Sequence, residues 1–403
     1  MSATYRRIAH GICLVWIAIL VLTACGGPTT PPPPRFTIDS SWLAPGLDVR
    51  GWPTFGHDDA HSGVYPVLRS TPALRGQIAW HYGGVGPIFS SPVLAYGTLF
   101  VGSTGGNLLA LDATTGAVIW RHNIGQFLDD STPVVVGRVV FVAANRSWIF
   151  ALDRTTGQQL WTANLGEVIQ AAPIFADGLL LVNSRTTTFA LDARGGTIRW
   201  HFHENASGWP TQAAPTVQGN TVYCALGTTT VVYALNLQTG AKIWSHDAGV
   251  RLISTPLVTG QSVIIGTWNG LVMALDASSG ALLWRYDVNS ALAQGSPTDG
   301  IAGSPAATSD LIFIGTYSGN VLALDATTGH VRWTHGIASP VLGVPVFAGD
   351  TLYVSGGQSL YALSASNGTP LWHVPLGDIR ADLALGPGHL YAGTVQGDIY
   401  AVA

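Results

Sequence analysis

Short apolar runs recur along most of this chain, and each ends in a polar turn followed by a tryptophan. In the first complete copy, an apolar run ends at Ala110-Leu111-Asp112, a Thr-Thr-Gly turn follows, and Trp120 lies eight residues after the aspartate. In six later copies Asp, Asn or Ser takes the aspartate position, and a glycine always lies four residues before the tryptophan. A fixed spacing that returns about every forty residues predicts one repeated structural unit, as in a propeller or a solenoid.

The local chemistry of each repeat favours four short antiparallel strands and a propeller. The aspartate can accept hydrogen bonds from backbone amides of the turn, and the glycine supplies the positive φ that a hairpin needs. The tryptophan adds a broad apolar face and one N–H that needs an acceptor. A further strand begins after a Ser-Pro or Thr-Pro step such as Ser91-Pro92, where proline costs no ladder hydrogen bond. Both faces of the strands are apolar, as expected for sheets stacked between neighbours.

Eight tryptophans have this spacing, and the two ends of the chain complete each other. Trp80 lacks the Ala-Leu-Asp step but keeps a glycine, Gly76, four residues before it, while the chain stops at 400–403, where another such step would begin. We therefore predict an all-β, eight-bladed β-propeller of four-stranded antiparallel blades. Residues 72–80 should form the outer strand of the blade whose inner strands lie at about 379–403, and this closure removes open sheet edges. The predicted docking tryptophans are Trp80, Trp120, Trp161, Trp200, Trp244, Trp284, Trp333 and Trp372.

The turn-to-tryptophan motif resembles the tryptophan-docking repeat of pyrroloquinoline-quinone-type propellers, over roughly residues 52–403. This repeat is typical of the fold and occurs both in quinoprotein dehydrogenases and in non-enzymatic lipoproteins that assist the assembly of outer-membrane β-barrels. WD-type propellers fit less well, because Gly-His and Trp-Asp signatures do not recur from blade to blade. The resemblance implies a propeller and leaves an enzyme and a scaffold as alternatives.

The first 24 residues indicate export. Arg6 and Arg7 precede an apolar run that ends at Leu22-Thr23-Ala24-Cys25, and this arrangement is typical of a signal peptide rather than of a membrane span. The end of the run resembles a bacterial lipobox, which implies lipidation of Cys25; an uncleaved anchor helix is the alternative. Residues 25–50, with four consecutive prolines, then form a semi-rigid tether, and residues 51–403 form the propeller. We expect an extracytoplasmic protein, lipid-anchored to the cell membrane or to the periplasmic face of an outer membrane.

The low content of charged residues and the few cysteines limit the kinds of partner and of covalent link that we expect. Only 10% of the residues are charged, well below the usual quarter, and without a basic stripe the chain is not expected to bind nucleic acid. Of the three cysteines, only Cys224 remains in the folded part, where we expect a buried apolar side chain. We predict a monomeric propeller whose partners are other cell-envelope proteins and, through its lipid, the membrane.

Two histidine groups raise the question of a metal. The segment 52–63 contains two histidines and two aspartates, but it lacks the spacing of a closed site, and packing of Trp52 and Phe55 against the ring is the preferred interpretation. His201 and His203 would share one face of a strand, which suits a ligand pair or an exposed edge. We predict no metal, no cofactor and no catalytic residue.

Two regions are candidates for binding. The longest spacing between docking tryptophans arises from a loop around Asn289 to Gly303, and extra loops on a ring often form the binding face. A second candidate is the mouth of the central channel, where each blade contributes the residue three positions before its strand-start proline or the equivalent position. These residues are Phe89, Asp130, Gln170, Gln212, Ile253, Ala302, Leu342 and Arg380. Asp130, Gln170, Gln212 and Arg380 are possible contacts to a small ligand, and solvated residues of a funnel are the alternative.

A non-catalytic scaffold is preferred over a quinoprotein dehydrogenase. Enzymes of the resembled family carry an adjacent cysteine pair next to the quinone, and this chain has no Cys-Cys step. A carboxylate-rich Ca²⁺ site would depend on aspartates, because Glu167 and Glu204 are the two glutamates of the sequence. We therefore predict a protein-interaction scaffold in envelope or outer-membrane protein assembly, with a dehydrogenase or a small-ligand binder at the channel mouth as the alternative.

Overall fold

A computed structural model describes residues 37–44, 47–48, 52–58, 60–64, 73–125, 128, 131–144, 147–205, 212–226, 229–291, 299–301, 303–337 and 339–403. All of these residues belong to one compact unit, Arg35–Ala403. The predicted signal peptide and Cys25 lie outside the described residues. Among the residues described, no helix is both long and apolar enough to cross a membrane.

Eight four-stranded antiparallel sheets form the ring, as predicted. The innermost strands are β2 (Val93–Ala95), β6 (Val134–Val136), β10 (Ile174–Ala176), β14 (Thr216–Gln218), β18 (Leu257–Thr259), β22 (Ala306–Ala307), β26 (Val346–Ala348) and β30 (Ala384–Gly386). The second strands are β3 (Thr98–Gly102), β7 (Val139–Ala144), β11 (Leu179–Asn183), β15 (Thr221–Ala225), β19 (Ser262–Gly266), β23 (Leu311–Gly315), β27 (Thr351–Gly356) and β31 (His389–Gly393).

The outer half of each blade carries the repeated turn. The third strands are β4 (Asn107–Asp112), β8 (Trp148–Asp153), β12 (Thr187–Asp192), β16 (Val231–Asn236), β20 (Leu271–Asp276), β24 (Asn320–Asp325), β28 (Ser359–Ser364) and β32 (Ile399–Val402). The outermost strands are β5 (Val118–Asn123), β9 (Gln159–Asn164), β13 (Ile198–His203), β17 (Lys242–Asp247), β21 (Leu282–Asp287), β25 (Val331–Gly336), β29 (Pro370–Pro375) and β1 (Ile78–Tyr82). Blades 1 to 8 are numbered from β2–β5 onward, and the two described 3-10 helices are Ser40–Leu43 and Val288–Ala291.

The ring closes between the two ends of the chain. In blade 8, β1 pairs antiparallel with β32, and Trp80 lies opposite Ala401. The sheet order β1-β32-β31-β30 confirms that an N-terminal strand completes the C-terminal blade. This pairing leaves none of the eight sheets short of a strand.

Each docking tryptophan joins its blade to the next one. The indole Nε1–H donates to a backbone carbonyl of the following blade at 2.8–3.1 Å, and the last bond returns from Trp372 to Leu74. The indole also lies against the turn glycine of that blade, so that a Cβ on Gly157 would come 2.7 Å from Cε3 of Trp120. The repeated aspartates hold the same turns: the carboxylate of Asp112 accepts from the amides of Thr114 and Thr115. The sequence spacing therefore encodes contacts between blades.

The described residues of the segment 52–64 (52–58 and 60–64) fill the centre of the ring. The innermost strand of a propeller blade turns its free edge to the central channel, and this segment bonds to that strand, or to the residue just before it, in six of the eight blades. The contacts are Trp52 with Leu94, Pro53 with Val135, His61 with Pro215, Ala60 with Val258, Ser62 with Ala307 and Gly63 with Phe347. Trp52 is accordingly only 1% exposed. The preferred interpretation of this segment, packing against the ring, is confirmed for Trp52.

The described residues before this segment lie along one face of the ring. The amide of Ile38 donates to the carbonyl of Arg194 in a turn between a third and an outermost strand. The amide of Arg138, in a turn between a first and a second strand, donates to the carbonyl of Trp42, and its guanidinium lies 4.0 Å from the Trp42 ring. Strand alternation places both kinds of turn on the same side, which we call the closed face. The opposite side, with the turns between second and third strands and the connections between blades, is the open face.

The core consists of apolar clusters shared by neighbouring blades. One such cluster joins blades 3 and 4 and includes Cys224, which is fully buried. Burial raises the pKa of this thiol to about 12, so the side chain packs as a small apolar group, as predicted.

Because of the docking contact, we expect Gly157→Ala and Gly125→Ala to differ in their effect on the free energy of unfolding, although both glycines have the same φ. Gly157 and Gly125 both have φ of +69°, but nothing lies within 4 Å of a Cβ at Gly125. Both variants acquire the strain of a left-handed alanine, and Gly157→Ala in addition collides with Trp120. We expect Gly157→Ala to lower the free energy of unfolding by about 1–3 kcal/mol more than Gly125→Ala, measured by urea denaturation. Equal losses would contradict the docking role of this glycine.

Candidate interaction surface

A belt of hydrogen bonds surrounds the channel where the innermost strands begin. In five of the eight junctions between blades, the amide of one strand-start residue donates to a side-chain oxygen of the equivalent residue in the next blade. The five bonds run from Ser91 to Thr132, Ala214 to Thr255, Thr255 to Ser304, Val344 to Asp382 and Asp382 to Ser91. The sequence signal is the Ser/Thr-Pro step, which we interpreted only as a strand start.

Asp382 closes this belt and is its one carboxyl group. Its Oδ1 accepts from the Val344 amide at 2.7 Å, and its Oδ2 accepts from the Ser91 hydroxyl at 2.9 Å. Burial raises the pKa of Asp382 to about 6, although these two hydrogen bonds act in the opposite direction. Because both oxygens are engaged by neighbouring blades, the group is best explained as a link between blades 7, 8 and 1.

The predicted residues of the channel mouth are only partly placed. Gln170 is half-buried and Gln212 exposed, and Arg380 donates through Nε to Asp378 of its own loop at 3.0 Å. Asp130 and Ala302 lie outside the described residues. A ligand contact by Asp130, Gln170, Gln212 and Arg380 stays a prediction.

The histidines are engaged in local contacts. Nδ1 and Nε2 of the buried His61 lie 2.7 and 3.0 Å from the carbonyl oxygens of Phe55 and Pro215. Burial lowers the pKa of His61 although both carbonyls raise it, and a neutral ring carries one N–H, so it donates to one of the two. His203 contacts the hydroxyl of Thr187 at 3.1 Å. Among the described residues, no three His, Cys, Asp or Glu side chains are grouped as a metal site requires.

An exposed aromatic pair lies on the open face at blades 5 and 6. Trp268 follows β19 and Tyr317 follows β23; their rings are 5.5 Å apart, and their exposed fractions are 53% and 38%. The guanidinium of Arg251 lies 5.3 Å from the centre of the Trp268 ring. Exposed Trp, Tyr and Arg are the residue types that dominate binding energy at protein interfaces.

The base of the predicted binding loop holds this pair in place. The Asn289 side chain accepts from the Asp299 amide at 2.6 Å and donates to the Asp299 carbonyl at 3.1 Å, so the two ends of the loop are joined. The amide of Tyr317 donates to the carbonyl of Gly300. A Cβ on Gly300 would lie 2.3 Å from the carbonyl oxygen of Trp268 and 3.1 Å from the Tyr317 ring, which explains why glycine occupies this position.

Sequence reasoning identified the loop but missed the three side chains beside it. The available signal was Trp268 itself, a tryptophan outside the eight-residue spacing of the repeat, in a turn where packing does not require one. Tyr317 takes the equivalent position in the next blade, after Thr316. The structure adds that these two turns meet at the base of the loop.

Eight four-stranded blades joined by docking tryptophans define a β-propeller built from pyrroloquinoline-quinone-like repeats. A family model described as "Outer membrane protein assembly factor BamB" matches residues 67–147, 110–247, 145–305 and 269–403 in overlapping segments. The chain therefore belongs to this family.

Proteins with similar sequences include an outer-membrane assembly factor and a protein kinase. BamB of Burkholderia pseudomallei is 27% identical over 59% of this chain and 66% of its own length, and the serine/threonine-protein kinase AfsK of Streptomyces griseus is 32% identical over 29% of this chain. The chain spans less than two thirds of the length of these relatives, and only 15% of the kinase.

Solved structures confirm the fold. BamB from Moraxella catarrhalis is similar with a TM-score of 0.67 at 17% identity, over 82% of this chain and 97% of that one. A quinohemoprotein alcohol dehydrogenase from Pseudomonas putida HK5 is similar with a TM-score of 0.71 at 14% identity, over 91% of this chain and 82% of that one.

From the raised pKa of Asp382, we expect the difference in free energy of unfolding between the original protein and the Asp382→Asn variant to depend on pH. A folded-state pKa raised to about 6 from 3.8 contributes stability that is present below pH 3.8 and lost as the pH rises through about 6. Asparagine keeps an acceptor for the Val344 amide but does not ionise. Its stability relative to the original protein should therefore rise by roughly 1 kcal/mol between pH 5 and 8, measured by urea denaturation at each pH.

The exposed Asp310→Asn serves as the control and should show no such gain. A constant difference between Asp382→Asn and the original protein across this pH range would mean that Asp382 stays ionised in the folded state.

Proposed function

We propose that this protein is a non-catalytic, lipid-anchored extracytoplasmic scaffold that docks other envelope proteins on its open face and acts in outer-membrane protein assembly. The exposed Trp268–Tyr317 pair beside Arg251 is the observation that carries the proposal. Membership of a family described as an outer-membrane assembly factor supports the direction of this function. The resemblance of Leu22-Thr23-Ala24-Cys25 to a lipobox supports anchoring through Cys25, which would keep the ring near a membrane.

The two faces of the ring differ in how much of their surface is available to a partner. On the closed face, the described residues 37–44 and 47–48 lie against blades 1 to 3. The described residues of the segment 52–64 occupy the central channel. On the open face the aromatic pair is exposed, and Val168 of blade 3 is exposed as well. A rigid ring with a filled channel and a partly covered closed face suits a docking platform, since closure and stacking hold the exposed side chains at fixed positions.

Site-specific photo-crosslinking in cells tests this difference between the faces. A photoreactive amino acid at Tyr317 or Val168 samples the open face, and the same residue at Thr114 or Ser278 samples exposed turns of the closed face. We expect defined covalent adducts with envelope proteins from the open face, at least ten times more abundant than from the closed face. Adducts from neither face would contradict a scaffold, and equal adducts from both would contradict docking on the open face.

A quinoprotein dehydrogenase is the second candidate, because quinohemoprotein alcohol dehydrogenases share the fold at TM-scores of 0.70 and 0.71. The donor set present in the described residues does not fit a quinone with Ca²⁺. Both oxygens of Asp382 are engaged by neighbouring blades, and among the residues that the structure describes no three His, Cys, Asp or Glu side chains are grouped as a metal site requires.

Reconstitution distinguishes the two candidates. The purified full chain is incubated with pyrroloquinoline quinone and Ca²⁺, and dye-linked oxidation of a primary alcohol is measured together with the absorption spectrum. The scaffold proposal predicts no bound quinone band and no turnover above a protein-free control. A stoichiometric quinone band with alcohol oxidation would overturn it.

A further inference from the structure

Arg251, beside the aromatic pair on the open face, has no carboxylate partner among the described residues. Five arginines form ion pairs with aspartates in the described part of the chain, namely Arg138, Arg194, Arg199, Arg332 and Arg380. Arg251 is exposed and is not among them, and its guanidinium instead lies over Trp268. Burial raises the pKa of Tyr317 while the charge of Arg251 lowers it, so the field of this guanidinium reaches both rings.

The surrounding acids are already engaged. Asp299 is buried, and its carboxylate accepts from the amides of Gly300 and Ser318 and from the Ser318 hydroxyl. Asp287 accepts from the amide and the side chain of Asn289. The loop residues 292–298 contain no Asp or Glu in the sequence. Asp247, four residues before Arg251, accepts from the Gly249 amide. Since no described carboxylate pairs with Arg251, its guanidinium is open to a carboxylate of another molecule.

The geometry favours a ligand in which an acid and an aromatic or apolar group are close together. The rings of Trp268 and Tyr317 are tilted by 58°, so each presents part of a face, and Arg251 beside them can donate two parallel hydrogen bonds to one carboxylate. Aromatic faces bind apolar and aromatic side chains, and the guanidinium adds charge specificity. The turns of Trp268 and Tyr317 are joined through Gly300, and the Trp268 amide donates to the Arg251 carbonyl, so the backbone of all three residues is already held in place before binding.

We propose that Arg251, Trp268 and Tyr317 form a binding site for an extended protein segment that carries a carboxylate next to an aromatic or apolar side chain. This inference rests on the proposed scaffold function and specifies the chemistry of the partner. In it, the carboxylate pairs with Arg251 and the adjacent side chain lies against the two rings. The ion pair sets selectivity, and the rings provide most of the contact area.

Two synthetic peptides test the charge requirement directly. The probe acetyl-Gly-Ser-Phe-Asp-Phe-Ser-Gly-amide and its Asn analogue are titrated into the full chain labelled with 5-fluorotryptophan, with the Trp268 signal assigned through Trp268→Phe. We expect the Asp peptide to shift the Trp268 fluorine signal and to bind at least ten times more tightly than the Asn peptide. This preference should weaken with salt, since the charged groups are solvent-exposed.

Variants separate the guanidinium from a general charge effect. Arg251→Gln should abolish the preference for the Asp peptide, whereas Arg285→Gln should retain it. Arg285 is an exposed arginine of the same blade, without an ion pair among the described residues. Equal affinities for the two peptides, or no shift with either, would overturn the proposal. A shift with chitotetraose that persists in Arg251→Gln would identify a glycan platform and would also overturn it.

A crosslinking arm in cells distinguishes failure of this site from failure of the scaffold. With the photoreactive residue at Tyr317, Arg251→Glu should reduce adducts with envelope proteins at least ten-fold, and Arg285→Glu should leave them unchanged. If adducts form equally in both variants, the scaffold stands and the charge requirement is wrong. If the original chain gives no adducts at all, the proposed function itself fails.

Discussion

Contact between each indole and the turn glycine of the next blade is the constraint on which the rest of this structure depends. The ring has few charged residues and no disulfide in its described part, so its blades are held together by burial and by the indole hydrogen bonds. A glycine is required because any Cβ at that turn would occupy the volume of the indole ring. With this contact repeated in every blade, the angle between neighbours is fixed, and eight repeats close on themselves.

Closure of the ring determines what remains for function. Sheet edges, turns and apolar faces are used to build the ring, and the described residues before β1 occupy the channel and part of the closed face. On the open face, the turns of Trp268 and Tyr317 depart from the repeat and leave both aromatic side chains exposed. Recognition chemistry is carried by departures from the repeat, since residues that obey it are already engaged in packing.

The fold could be predicted from the sequence because its determinants are local. An Asp, Asn or Ser, a glycine and a tryptophan lie within nine residues of one another in each complete copy, so a local spacing rule captures a contact between blades. The interaction surface could not be predicted in the same way. Trp268, Tyr317 and Arg251 come from three separate turns, and nothing in their neighbouring residues indicates that the turns meet. The filling of the channel could not be predicted from the sequence either. The segment 52–64 binds the innermost strands mainly through backbone hydrogen bonds, and these do not depend on particular side chains.

The pairing of β1 with β32 has a kinetic consequence. More than 300 residues separate the two strands, so β1 stays unpaired until β32 has been made. Until then, the nascent polypeptide exposes an unpaired strand and the apolar surface of an incomplete ring, and both can associate with other unfolded chains. Contacts of such long sequence separation also form slowly. Aggregation and degradation are therefore expected to compete with folding most strongly before this last pairing forms.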